Sequence, residues 1–445
     1  SFPTRRSSDL SYIKKVIGTE ELRFGRTIDA GLNILTGMMG RLKEAHEKVL
    51  SGVEAFKLND TFGFPLDLTR EIAAEAGFAV DEAAFHIEMT KQRERARAER
   101  LAKDISGWSA DLFGELTAEP TRFDGYETLS EKAKVLALSD GEELVDAIAT
   151  DEAGEAKDGV LVVLDRTPFY AEMGGQVADH GYITNGDAKL KVTQVKKTPK
   201  GYFVHTCELL DGTIHVDDEV TASVDEKRRA AICRNHTATH LLQKALREVL
   251  GEHVHQAGSY QDDKLTHFDF THFSAVTPEE LRKVEDRVNE KIFEALPVTI
   301  QNLPIEEAKK MGAMALFGEK YGSVVRVVDA GGWSTEFCGG THVTNTAQIG
   351  CFKILSESSV AAGIRRIEAT TAFGVLDLLD DRTEILAKTA VALKANNLKD
   401  APARAEALAA ELKETAKQLE ILKAQMAAAK IDGLFENAAD IDGVR

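Results

Sequence analysis

The chain has 445 residues and carries 55 Lys+Arg against 73 Asp+Glu, a formal net charge of −18. That length predicts about three domains, and 43% hydrophobic with 29% charged residues is an ordinary globular profile. No run of about eighteen apolar residues is present, which excludes a membrane-spanning helix, and the acidic balance excludes a general nucleic-acid-coating protein, so a nucleic-acid partner would need local basic or shape-specific contacts.

The basic start lacks the apolar stretch of a signal peptide. The 4 cysteines are too few for a disulfide scaffold and suit a reducing, cytoplasmic setting.

Residues 1–10, Ser1 to Leu10, share no pattern with the helical segment after them and read as a non-native tail. Residues 11–115 read as helical. Apolar residues fall at helical spacing from Glu20 to Met39, and Leu42 to Leu50 continues in the same manner. Asp67 to Ala76 reads as a helix stopped by Gly77. Asp81 caps a longer helix to about Lys103, which carries Lys91, Arg93, Arg95, Arg97, Arg100 and Lys103. That run is either a solvated helix face or a phosphate-contacting helix.

Residues 120–225 change character. Short β-rich runs at Val135–Ser139, Val160–Asp165, Lys189–Val195, Tyr202–Glu208 and Glu219–Val224 are separated by turns such as Asn185-Gly186-Asp187. They predict a small β-barrel or sandwich. Residues 226–371 alternate helices (Leu241–Leu250, Pro278–Ala295) with strands (Val324–Asp329, Ile349–Ser356, Ile364–Thr371), an α+β pattern.

Between 375 and 430 the periodicity becomes heptad-like. Leu376, Leu379, Thr383, Leu386, Ala390 and Leu393 are spaced by three and four, and so are Leu408, Leu412, Thr415, Leu419, Leu422 and Met426. Asn396-Asn397 and Pro402 divide the stretch into two helices, which predicts an antiparallel hairpin or coiled coil. Each half is short for an independent coiled coil, so packing on a domain or self-association with a second chain is expected. Residues 431–445 read as a truncated tail. The fold class is therefore multidomain α+β: a helical region, a β-barrel, an α+β domain and a helical hairpin.

The sharpest chemical signal is a pair of motifs. Asn235-His236-Thr237-Ala238-Thr239-His240 is read as opening a helix, and histidines at i and i+4 share one helical face. About a hundred residues on, Cys338-Gly339-Gly340-Thr341-His342 offers a thiolate and an imidazole, with glycines that let the backbone fold the two together. Three imidazoles and one thiolate suit Zn²⁺. Thr237 stands where a His-Glu-x-x-His protease needs its general base, so that chemistry is excluded. A zinc could polarise a carbonyl, orient a substrate or lower the pKa of a water, or be structural, since four protein ligands close the coordination sphere. Cys207, Cys233 and Cys351 lie in apolar contexts and are expected in the core.

Other residues gather around these motifs. Gln256 follows the histidine helix. Phe268-Asp269-Phe270 alternates like a strand. Gly363-Ile364-Arg365-Arg366 sets positive charge beside a glycine turn, a candidate phosphate contact. Glu172-Met173-Gly174-Gly175-Gln176 precedes Asp179 and Gly181, and its glycine pair implies a tight turn or a close backbone approach.

His236-x-x-x-His240 with Cys338-Gly-Gly-Thr-His342 resembles the editing domain shared by alanyl-tRNA synthetases and free-standing AlaX proteins. Pro168-Phe169-Tyr170-Ala171-Glu172-Met173-Gly174-Gly175-Gln176 and Lys57-Leu58-Asn59-Asp60-Thr61-Phe62-Gly63-Phe64-Pro65 also look like alanyl-tRNA synthetase. The resemblance covers residues 12 to 430, and the threonyl editing domain should lack the two outer motifs. It implies that His236, His240, Cys338 and His342 bind one zinc ion in a site that hydrolyses Ser-tRNA(Ala) and Gly-tRNA(Ala), with Thr239 and Gln256 telling serine from alanine. It implies that Asp60 helps recognise the acceptor-stem G·U pair and that Arg365 holds the aminoacylated 3′ end of tRNA(Ala). It further implies that the class II catalytic domain, with its ATP, Mg²⁺ and alanine sites, and a C-terminal globular domain are missing, so the chain should not ligate by itself. Two alternatives stay open: a non-catalytic tRNA-binding fragment with structural zinc, and an AlaX-like trans-editing protein.

Overall fold

A computed structural model describes residues 4–105, 112–150, 156–311 and 322–436. The chain divides into two compact units, 1–370 and 371–445, and among the described residues no helix is long and apolar enough to cross a membrane.

The first zone is helical: α1 (Thr4–Glu44), α2 (Gly52–Phe62), α3 (Leu66–Glu75) and α4 (Glu82–Ile105). The backbone of α1 already starts inside the segment read as a tail; the side chains of residues 1–10 lie outside the described residues. The expected helix over Leu42–Leu50 is corrected. Helix α1 ends at Glu44, and Val49-Leu50 instead pairs in parallel with Ala79-Val80. A tertiary pairing overrides local propensity there. Asp81 caps α4 as predicted, its carboxylate accepting from Ala84 N at 2.9 Å. Of the basic run, Lys91 pairs with Glu88 at 2.7 Å; the side chains of Arg95, Arg97, Arg100 and Lys103 lie outside the described residues.

Helix α2 carries Lys57 to Phe62 of the outer motif. Gly63 closes it in the left-handed conformation at φ 68°, which favours glycine. The chain then turns and buries Phe64 against Gly31 of α1, where a Cβ would collide with the ring.

Among the described residues, six strands close into a barrel: β1 (Ser130–Ser139), β2 (Lys157–Leu164), β3 (Gly181–Thr184), β4 (Lys189–Lys197), β5 (Phe203–Asp211) and β6 (Glu219–Val224). Their order is β6-β3-β4-β5-β2-β1, and β1 pairs back to β6. Closure removes the open edges. Alternation does the rest: Leu190, Val192 and Val195 of β4 face the same interior as Val135, Val162, Ile183 and Leu209.

Asp225 ends the barrel and caps α5 (Glu226–Leu250) by accepting from Arg228 N at 3.0 Å. The histidine motif therefore lies in the middle of a helix and does not open one, because the barrel's last strand delivers the cap nine residues before Arg234. One face of α5, with Ala238, Leu241, Leu242, Ala245 and Leu246, packs on α6 (Pro278–Phe293) and on a sheet. That sheet is β7 (Gln256–Gln261), β8 (Thr266–Thr271), β12 (Phe352–Ala361) and β13 (Ile364–Thr371), in the order β7-β8-β13-β12. A second sheet runs β9 (Val298–Pro304), β10 (Val324–Ala330), β11 (Ser334–Phe337). A short helix, α7 (Ile305–Lys310), follows β9. Phe268 and Phe270 are core residues, as their alternation predicts. Cys207 is buried and Cys233 is half-buried against the core, but Cys351 is exposed, a correction to its expected place. It sits just after Gly350, where the chain turns from a 3₁₀ segment into β12.

The second unit holds α8 (Phe373–Ala392) and α9 (Ala401–Glu436), with Asn397 capping the link by accepting from Lys399 N and Asp400 N. The two helices form where predicted. Among the described residues most of their heptad positions stay uncovered: Leu376, Leu379, Leu412, Leu419, Leu422 and Met426 are all more than half exposed, while Ala390, near the link, is buried.

Candidate metal centre

Mid-helix α5 presents His236 and His240 one turn apart, and the loop after β11 brings Cys338 and His342 to them. The four ligand atoms lie within 4.8 Å of one another. Cys338 Sγ is 3.3 Å from both His236 Nε2 and His342 Nε2.

Two of the imidazoles are oriented by a hydrogen bond at their other nitrogen. His236 Nδ1 lies 2.8 Å from Gln176 Oε1. The same oxygen accepts from Thr341 N at 2.8 Å, which fixes the carboxamide and makes His236 Nδ1 the donor. His342 Nδ1 lies 3.1 Å from Thr237 Oγ1. That hydroxyl gives its hydrogen to Cys233 O at 2.8 Å, so it accepts from His342. His240 Nδ1 faces Glu336 Oε2 at 3.7 Å. The Nε2 lone pairs of His236 and His342 are left for an ion, the arrangement in which outer partners set the tautomer of metal-binding histidines. Burial, reinforced by Arg326, holds the three imidazoles well below the usual histidine range, His240 at about 3. They are neutral at physiological pH, as ligands must be. Burial also pushes Glu336 up to about 8. This cluster could hold a metal ion.

The glycines of the Cys338 loop have a steric purpose. A Cβ at Gly340 would collide with the His236 ring. Arg326 of β10 holds the loop, donating from Nη1 to the carbonyls of Cys338 and Gly340 at 2.8 Å each. Its guanidinium stacks 4.1 Å over Tyr126, whose hydroxyl donates to Gly339 O. The barrel thus touches the site twice, through Tyr126 and Gln176. Gly175 (φ 84°) also abuts the Ser259 carbonyl, too close for a Cβ, which is the close backbone approach expected of that glycine pair.

A small cavity of about 30 Å³ adjoins the cluster, lined by His236, Thr239, His240, Gln256, Ser259 and Gln261 among others. Thr239 and Gln256, the two predicted pocket residues, both reach it. Thr239 Oγ1 donates to Asn235 O at 2.8 Å and lies 2.7 Å from Thr266 Oγ1. Gln256 Nε2 donates to Ser259 Oγ at 3.1 Å. A wider cleft of about 830 Å³ borders His342 from the barrel side, with Tyr126, Arg229 and Arg234 in its wall; Arg234 Nε is buried without a partner.

The other two predicted residues stand elsewhere. Asp60 is exposed on α2 and accepts from Gln92 Nε2 of α4. Arg365, on β13, is committed to Glu357 through two bonds, 2.5 and 2.7 Å. Sequence reasoning missed Gln176, Glu336, Arg326 and Gln261. Gln176 closes the Pro168–Gln176 motif, and Glu336 is one strand period before Cys338, so both carried a local signal.

Gln176→Leu tests the outer partners. It leaves His236 Nδ1 and Thr341 N without their acceptor, and metal affinity should fall ~10–100-fold. Competition against a chelator measures it; unchanged affinity would show that Gln176 does not orient the ligand.

Residues 4–228 match the family described as tRNA synthetases class II (A), and residues 325–368 match the threonyl and alanyl tRNA synthetase second additional domain. The chain is similar to the alanine–tRNA ligase of Acetivibrio thermocellus, 48% identical over 97% of this chain and 48% of that protein. It is equally similar to that of Thermoanaerobacter sp., 48% over 98% and 48%, and close to that of Shouchella clausii, 46% over 97% and 49%. The chain spans about half the length of the curated relatives it matches.

Proposed function

The chain belongs to the alanine–tRNA ligase family of class II tRNA synthetases, and from that premise we propose that it binds tRNA(Ala) and hydrolyses mischarged Ser-tRNA(Ala) and Gly-tRNA(Ala) at a zinc site made by His236, His240, Cys338 and His342. The observation that carries this reading is the cluster of three neutral imidazoles and one cysteine beside a polar cavity, with His236 and His342 turned by outer partners so that Nε2 faces Cys338 Sγ. Nitrogen and sulfur donors of this kind fit zinc.

The parent reaction, joining alanine to tRNA with ATP and Mg²⁺, creates the need. A pocket for alanine rejects neither a missing methyl nor an added hydroxyl strongly; such discrimination is worth only ~10–200-fold per group, so a second, hydrolytic site is required. Bound zinc would supply a Lewis acid that anchors the amino acid's amine or activates water. The chain's own residues do the remainder. Gln176 and Thr237 hold two of the imidazoles, and Glu336 lies beside the third. Arg326 and Tyr126 hold the Cys338 loop in place. Thr239 and Gln256 line the amino-acid pocket, and Arg234, in the wall of the wider cleft, offers a cation to the tRNA backbone.

The helical region 11–115, through Asp60, is proposed to read the acceptor-stem G·U pair. We assign the barrel to 120–225, the editing domain to 226–371, and a self-association surface to the paired helices of 375–430. A role for Arg365 at the 3′ end requires exchanging Glu357 for a phosphate. The proposed setting is the cytoplasm, where its substrate is made.

A second reading keeps the zinc structural, because four protein ligands close its sphere. Incubating the zinc-loaded chain with Ser-, Gly- and Ala-tRNA(Ala) decides. Release of serine and glycine well above the uncatalysed rate, with the alanyl ester spared, is expected. Full zinc occupancy with no ester cleavage would replace the proposal by the structural one.

A further inference from the structure

Gln261 closes strand β7 and is fully buried, yet neither its Oε1 nor its Nε2 has a hydrogen-bond partner. Its backbone explains its location. Gln261 N donates to Gly175 O at 2.8 Å, and Val177 N donates to Gln261 O at 3.1 Å. The residue is therefore fixed in the seam between the barrel loop and the editing sheet. Its side chain has no such explanation. An apolar residue would fill the same place without leaving a carboxamide unpaired, and buried polar groups are ordinarily satisfied.

The side chain lines the cavity beside His236 and His240. Beside it Thr239 Oγ1 is engaged with Asn235 and Thr266, and Gln256 Nε2 with Ser259. The cavity, about 30 Å³, has room for only one or two water-sized groups. The missing partner is thus small and must satisfy a donor and an acceptor together. An ammonium only donates, so it would leave Nε2 unpaired. A hydroxyl does both.

We propose that Gln261 is a specificity residue of this site: its carboxamide recognises the side-chain hydroxyl of the seryl group, with Oε1 accepting from the hydroxyl and Nε2 donating to its oxygen. The inference rests on the deacylase reading and deepens it. The hydrogen of glycine and the methyl of alanine leave the carboxamide unpaired, which turns one buried side chain into a preference for serine.

Two variants and two readouts test it. Gln261→Leu removes both polar ends at similar volume; Gln261→Asn keeps them but withdraws them by one methylene. The first readout is binding of seryl and glycyl adenosine analogues whose ester is replaced by an amide, so that no hydrolysis is needed. The second is the ratio of kcat/KM for Ser-tRNA(Ala) over Gly-tRNA(Ala). The seryl-over-glycyl preference should fall about tenfold or more in Gln261→Leu by both readouts, with zinc content unchanged, and by less in Gln261→Asn. An unchanged preference in Gln261→Leu, above all with raised thermal stability, would overturn the proposal and leave Gln261 as a water-bound core residue. If Gln261→Leu loses zinc or folding, Gln261→Asn decides, and an unaltered preference there also overturns it. A wild-type chain that prefers the seryl analogue but cleaves neither ester would refute the deacylase reading and keep Gln261 as the hydroxyl reader. No seryl preference in the wild type would refute Gln261's role whatever the ester kinetics.

Discussion

Cys338→Ala should abolish stable zinc binding and, with it, ester hydrolysis. The substitution removes the thiolate from the set and leaves His236, His240 and His342. Zinc favours a deprotonated sulfur, and Sγ is the atom on which two Nε2 groups converge at 3.3 Å. The loss should exceed the ~10–100-fold expected for an outer partner such as Gln176. The domain has an extensive core of its own, with Leu241, Leu242, Phe268, Phe270, Val288 and Ile367 buried in one cluster and Cys338 only at its margin, so it should hold without the ion. Cooperative unfolding of the domain should therefore survive in Cys338→Ala, and metal removal from the unmutated chain should have the same effect. Zinc content after dialysis, ester cleavage and urea unfolding are read on one preparation. Stoichiometric zinc and undiminished seryl-ester hydrolysis would dismiss the four-residue site. Loss of cooperative unfolding along with zinc would assign the ion a structural role instead.

The His/Cys cluster was legible in the sequence because it is local twice over. His236 and His240 are four apart on a helix, and Cys338 and His342 are four apart around a glycine turn, so each half announces itself by spacing. The barrel was legible for a similar reason, since alternation in Lys189–Val195 and Glu219–Val224 survives burial on one side only. What stayed hidden depends on partners distant in the chain. Gln176 acts on His236 from 60 positions away, and Arg326 acts on a loop whose grip also needs Tyr126. The strand Val49-Leu50 exists only because Ala79-Val80 lies beside it. Apolar spacing also misled where no surface receives it, as at Leu412 and Leu419, which remain exposed on α9. The helix boundary of α5 was missed because its cap, Asp225, belongs to the end of the preceding strand.

Arg229→Met should cost about 3–5 kcal/mol of stability, the usual effect of leaving one half of a buried ion pair behind. Arg229 is 5% exposed and Asp179 is 0% exposed. Arg229 Nε donates to both Asp179 oxygens, at 2.9 and 3.0 Å, and the two Nη groups donate to Gly125 O at 2.7 Å and Pro168 O at 2.9 Å. Asp179 also accepts from Tyr170 N at 2.7 Å. The pair thus ties the first turns of α5 to three points of the barrel. Removing the guanidinium frees two carbonyls and strands a carboxylate, whereas removing both charges at once leaves the carbonyls and Tyr170 N unpartnered but strands no charge. The double variant Arg229→Met/Asp179→Leu should therefore lose less than the two single variants added together, a coupling readable from urea midpoints. The effect should reach the metal as well. Arg229 lies two helical turns before His236, and Gln176 lies three residues before Asp179, so the pair holds His236 and its orienting carboxamide to each other. Zinc affinity in Arg229→Met should drop along with stability, even though no ligand or outer partner is altered. Strictly additive losses, with zinc affinity untouched, would show that the barrel and α5 meet without setting the geometry of the site.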